Sequence, residues 1–190
     1  MTKALVALHL QNDICHPDGR IPFALDRSSG DAAMFLARCR AMIDKARTGG
    51  WTVVHMHIAF APDYSDLPRN CRLFQAVESL GAVKRGSWGA AAMEGFEPAS
   101  GDLLLTHRCN NAFEGTGLEA LLDQRNVREV AVMGLATQYS VEHSVRHAAD
   151  LGYAVIMIRD CCGSANPHAA EASFAAMAML ADVVDSTDIE

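Results

Sequence analysis

Four side chains capable of proton or acyl chemistry stand at or just beyond the ends of short apolar runs: His9, His57, His107 and Ser140. Histidine takes and returns protons near neutral pH, and a serine hydroxyl, scarcely ionised by itself, needs such a base before it attacks a carbonyl. Ser140 lies in GLATQYSV (134 to 141), where the chain passes from the apolar VAVM into the amphipathic VEHSVRHAAD. A nucleophile at a helix start gains free backbone N–H groups and the positive end of the helix dipole, which stabilise a developing oxyanion. The combination fits acyl transfer.

These residues need a frame. Six runs rich in branched and apolar residues recur: ALVALHL (4 to 10), TVVHMHI (52 to 58), DLLLT (102 to 106), EVAVMG (129 to 134), YAVIMI (153 to 158) and ADVVDS (181 to 186). Near-continuous runs of this kind predict strands buried on both faces, hence a parallel sheet. Helical spacing is read between most of them. MFLARCRAMIDKAR (34 to 47) aligns Met34, Phe35, Cys39, Met42, Ile43 and Ala46 and stops at Gly49-Gly50. Shorter helices are predicted over 118 to 126, 140 to 150 and 168 to 180. Strands alternating with helices imply right-handed crossovers and one three-layer α/β domain over 1–190. The segment 59 to 101 reads as loop-rich, and such loops often cover sites or make subunit contacts. Ligands of open α/β sheets bind beyond the carboxyl ends of the strands, where His9, His57, His107 and the 134 to 140 turn are expected.

Composition narrows the partners. A formal net charge of -7 without a run of Lys or Arg argues against nucleic acid and anionic membranes, leaving a small molecule or another protein. No apolar run approaches the roughly 20 residues of a membrane helix, and the first residues show no signal-peptide cleavage pattern, so a cytoplasmic protein is expected. Six cysteines without a CxxC are expected to be reduced thiols.

Met133 to Val141, followed by a helix and Gly152-Tyr153-Ala154-Val155, resembles the nucleophile signature of isochorismatase-like cysteine hydrolases. That family includes nicotinamidases, carbamoylsarcosine and ureidoacrylate amidohydrolases, and isochorismatases. Ala4 to Asp13 resembles its opening motif, and Thr106 to Thr116 its second motif. Asp160-Cys161-Cys162 with His168 downstream resembles a third. The likeness runs along about the whole chain in the same order, and the expected fold is Rossmann-like, a six-stranded parallel sheet of order 3-2-1-4-5-6 with helices on both faces.

The resemblance places the family's catalytic aspartate on His9, its lysine on His107 and its cysteine on Ser140. It also implies a cis peptide before the nucleophile and an oxyanion hole from the backbone N–H groups of Ala136 and Ser140. The metal set of nicotinamidases is not matched, since Ile58-Ala59-Phe60 stands near its place, and no cofactor is expected. Self-association, as a homodimer or tetramer, is implied as well.

Three readings remain. In the first, Ser140 is the nucleophile and His9 or His107 the base, acting on a small amide, ester or related carbonyl compound. In the second, all three expected catalytic residues have changed because the protein binds a small molecule or serves as a scaffold without turnover. In the third, His9, His57 and His107 hold a divalent metal such as zinc, with one of the two histidines in His55-Met56-His57 on the pocket side. His57, Trp88 and Tyr139 are candidate pocket residues, with core packing the alternative for the aromatics. His143 and His147 are read as a solvated face or subunit contact, His168 as a residue that caps or orients a helix, and Cys109 as an inert thiol.

Overall fold

The computed structural model describes residues 2–28 and 30–189. Six strands form one parallel sheet: β1 (Thr2–Leu8), β2 (Thr52–Ile58), β3 (Leu103–His107), β4 (Val127–Leu135), β5 (Ala154–Gly163) and β6 (Asp182–Val184). Their order is β3-β2-β1-β4-β5-β6, as the sequence led us to expect. The apolar runs explain the layout, because Ala4 to Leu8 of the central β1 are covered from both faces and almost wholly buried.

Six helices connect the strands: α1 (Asn12–Cys15), α2 (Asp31–Thr48), α3 (Arg72–Ser79), α4 (Leu118–Gln124), α5 (Glu142–Asp150) and α6 (Pro167–Met177). On one face of the sheet α2 buries Phe35, Cys39, Met42 and Ala46, and α3 adds Phe74 and Val77. Leu118 and Leu122 of α4, Val145 and Ala148 of α5, and Phe174 and Met177 of α6 cover the other. This is the three-layer arrangement the alternation implies. No helix among the described residues is long and apolar enough to cross a membrane.

The segment 59 to 101 is loop-rich as expected, with α3 and a 3-10 turn at Trp88–Ala90 inside it. Two local expectations are corrected. Asn166, not His168, caps α6: its side chain accepts a hydrogen bond from the Ala169 N–H at 3.1 Å, while His168 is exposed. β5 runs on to Gly163 because the pairing with β4 shifts register after Val132, bringing Cys162 opposite Gly134.

Gly134 is required where β4 passes β1. Its φ is +117°, and a Cβ there would lie 2.1 Å from the Leu8 carbonyl oxygen. That close approach aims the following turn at the carboxyl end of β1.

Candidate active site

His9 is the first residue beyond β1, with a left-handed φ of 61°, and its N–H donates to the Met56 carbonyl at 2.9 Å. The fully buried Gln11 secures this edge. Its amide donates to the carbonyls of Ile58 (3.0 Å) and Ala90 (2.8 Å), and its oxygen accepts from the Ile58 N–H at 2.8 Å. The end of β2 and the turn at 88–90 are thereby tied to the residues after His9.

His107 closes β3, and its Nε2 lies 2.5 Å from Nε2 of His9, the rings inclined by 40°. Its Nδ1 lies 3.1 Å from the Asn111 carbonyl oxygen. A carbonyl only accepts, so His107 carries its proton on Nδ1 and presents a bare Nε2. His9 then donates from Nε2 to His107, and the Leu135 carbonyl stands as a second acceptor beside the same ring.

Both rings are neutral near pH 7. Burial, then the neighbouring His107, holds the His9 pKa well below the usual value, against an opposing contribution from the Leu135 carbonyl. Burial pushes His107 down to about 4, with the Asn111 carbonyl working the other way.

Asn111 holds the pair from outside. Its Oδ1 accepts from the Phe113 N–H at 3.0 Å and its Nδ2 donates to Nδ1 of His147 at 2.6 Å. His147 is stacked on Phe113, with ring centroids 5.5 Å apart and planes inclined by 7°. Ser144 ties the same loop to α5, donating to the Ser140 carbonyl at 2.7 Å and accepting from the Ala112 N–H at 3.1 Å.

Ser140 sits in a π-helical turn, Thr137–Val141, that runs into α5. The peptide between Leu135 and Ala136 is cis, where the resemblance implies one. Thr137 anchors the turn by donating from its hydroxyl to the Gly163 carbonyl at 2.9 Å. The Ser140 side chain is buried, and its hydroxyl has no hydrogen-bond partner among the described residues.

His9, Ala136, Tyr139 and Ser140 meet at one cavity of about 40 Å³, together with Asn110. Its remaining walls are apolar, among them Ile14, Ile21, Phe23, Leu73, Phe74 and Val83. His107 touches the cavity only through His9. Sequence reasoning missed Asn110 and Asn111 as site residues, although both stood in the motif from Thr106 to Thr116, and consecutive amides after a strand were the available signal.

The other candidates lie elsewhere. His55 and His57, two apart in β2, share a face, as a period of two demands, so the expectation that one alone faces the pocket is corrected. His55 is hydrogen-bonded to Asp102 at 3.0 Å, and His57 lines a separate cavity with Arg85 and Thr106. Trp88 is 52% exposed and packs edge-on against His16 instead of lining the site. Cys109 donates to the Asn111 carbonyl at 3.3 Å, and burial raises its pKa, as suits an unreactive thiol. All six cysteines are free.

The three-histidine metal set is not assembled. Among the described residues no three His, Cys, Asp or Glu side chains gather to hold an ion. Zinc–nitrogen bonds of about 2.0 Å on each side do not fit between Nε2 atoms this close.

The Isochorismatase domain family matches residues 3–188. A ureidoacrylate amidohydrolase, RutB, of Agrobacterium fabrum is 25% identical over 176 residues, covering 86% of this chain and 77% of that protein. The crystal structure of an isochorismatase family protein from Desulfovibrio vulgaris superposes with a TM-score of 0.85 at 29% identity, covering 98% of this chain and 95% of the other. N-carbamoylsarcosine amidase from Thermoplasma acidophilum shares the fold, with a TM-score of 0.79 at 23% identity and coverage of 100% and 99%.

Proposed function

The chain belongs to the isochorismatase family, and from that premise we propose that it hydrolyses a small amide or ester, with Ser140 as nucleophile and His9 as general base. The observation that carries this reading is the shared cavity: the unpartnered Ser140 hydroxyl and the His9 ring line one small space beside Ala136. The neutrality of the His9 ring supports it, because only an uncharged imidazole can accept the serine proton. The amidohydrolase and amidase among its relatives favour a carbon–nitrogen bond over an ester.

In the proposed reaction Oγ of Ser140 bonds to the substrate carbonyl carbon while His9 takes the hydroxyl proton. The N–H groups of Ala136 and Ser140 receive the oxyanion. The carbon–nitrogen bond then breaks, the nitrogen leaving with the proton held by His9. A water attacks the acyl-serine with His9 again as base, releasing the acid and restoring the serine. His107 orients His9 throughout and accepts its Nε2–H while it is protonated, in the place of the third member of a triad.

A second reading, small-molecule binding without turnover, draws on one observation: the Ser140 hydroxyl makes no hydrogen bond to either histidine in the unliganded site. One experiment separates them. The protein is treated with a serine-directed phosphonate, and hydrolysis is measured across an amide and ester panel. Labelling and turnover that both vanish in Ser140→Ala support the hydrolase, whereas activity that survives in Ser140→Ala removes the serine mechanism.

A further inference from the structure

The cavity holds a clue to what would be hydrolysed. None of its lining side chains is Lys, Arg, Asp or Glu. Asp13, the residue before the lining Ile14, is committed to the N–H groups of Val83 (2.7 Å) and Arg20 (3.3 Å). The guanidinium of Arg20 is held by the Gly81 carbonyl at 2.7 Å. No Lys or Arg side chain lines this space, and His9 is neutral there. A charged group entering would lose its water without gaining a counter-ion.

Size is equally restrictive. A cavity of about 40 Å³ holds roughly three waters at about 10–15 Å³ each, the bulk of a short aliphatic group. Asn110 adds an amide to this largely apolar lining. The carboxamide of Asn110 lines the cavity and has no hydrogen-bond partner among the described residues. It offers a donor and an acceptor to the polar end of a ligand.

Resting on the hydrolase reading, we infer that the substrate is an uncharged carboxamide with a compact aliphatic acyl group. Its chain lies against Ile21, Phe74 and Val83, and its amide is recognised by Asn110. This separates the chain from its relatives named for ureidoacrylate, a carboxylate. Butyramide and succinamate form a matched pair of probes, since a terminal methyl in one replaces a carboxylate in the other.

The expected result is that butyramide binds Ser140→Ala protein by calorimetry at least about a hundredfold more tightly than succinamate, with the same preference in kcat/KM for the unsubstituted enzyme. Leu73→Lys, which puts a cation on a half-buried wall, shrinks that preference by about tenfold or more. Asn110→Ala raises KM for butyramide roughly tenfold with little change in kcat or Tm. Equal binding of the two probes, or no binding of butyramide, overturns the inference. Selective binding of butyramide without turnover leaves it standing and counts against the hydrolase reading alone, whereas turnover of succinamate as fast as butyramide does the reverse.

Discussion

Acid should destabilise this fold through His107 in a way that one substitution removes. Burial pushes the His107 pKa down to about 4 in the folded protein, against the usual 6.5 to which it returns on unfolding. Between those two values the unfolded chain binds a proton that the folded chain refuses. The stability tied to this ring is therefore complete above pH 6.5, falls as the pH drops below it, and is spent below about pH 4. Integrating over one such group, the step from pH 7 to pH 5 costs about 2 kcal/mol, and the whole range about 3 kcal/mol. His107→Gln keeps an amide able to bond the Asn111 carbonyl but cannot titrate. Urea unfolding at both pH values supplies the comparison: carboxylates and the remaining histidines contribute to both proteins, and the unsubstituted protein should lose about 2 kcal/mol more than the variant. His57, lowered to about 4 by burial first and then by His55 and His107, gives a second comparison of similar size in His57→Gln, with only its smallest contribution shared with His107. Equal acid losses in His107→Gln and the unsubstituted protein would refute the claim that this ring is held neutral by burial.

Two further outcomes follow from contacts around the site. Gly134→Ala places a Cβ 2.1 Å from the Leu8 carbonyl at a φ of +117°, and a loss of about 3 kcal/mol or more is expected by calorimetric Tm, with activity falling because the serine turn begins there. Asn111→Ala removes the amide that joins Phe113 to His147 and leaves the carbonyl under His107 less firmly held. A fall in kcat of roughly tenfold with KM little changed is expected on any amide the enzyme turns over, and an unchanged kcat would make the clamp merely structural.

The sheet was legible because burial on both faces leaves its mark residue by residue, as in Ala4 to Leu8, where no polar side chain is tolerated. α3 was hidden for the opposite reason. Arg72–Ser79 is short and buries only Phe74 and Val77, too few apolar positions to set a period against the polar loop before it. His9 and Ser140 could be found because both stand where a strand gives way to the next element. Asn110 and Asn111 could not be assigned, since their roles arise when the loop after β3 folds back against α5 through Ser144 and His147. His57 and Trp88 show the same limit from the other side. Each has chemistry suited to a pocket, but strand direction sends His57 into a different cavity, and the turn at 88–90 leaves Trp88 outside.

The exchange of an aspartate and a lysine for two histidines, implied by the family resemblance, is intelligible as electrostatics. A buried carboxylate and ammonium must each be desolvated, and removing either strands the other. His9 and His107 meet the same geometry as neutral donor and acceptor, so the resting site contains no ion to desolvate, in keeping with a cavity that has no charged wall. The capacity for charge is retained rather than lost. When His9 accepts a proton in the proposed reaction, the cation keeps its bond to the bare Nε2 of His107, whose own Nδ1–H is already engaged by Asn111, and His9 holds a proton to deliver to the leaving nitrogen. A neutral pair poised in this way needs a base-activated nucleophile beside it. In the proposed reaction the hydroxyl at Ser140 answers that need without the standing negative charge that a thiolate would bring into an apolar pocket.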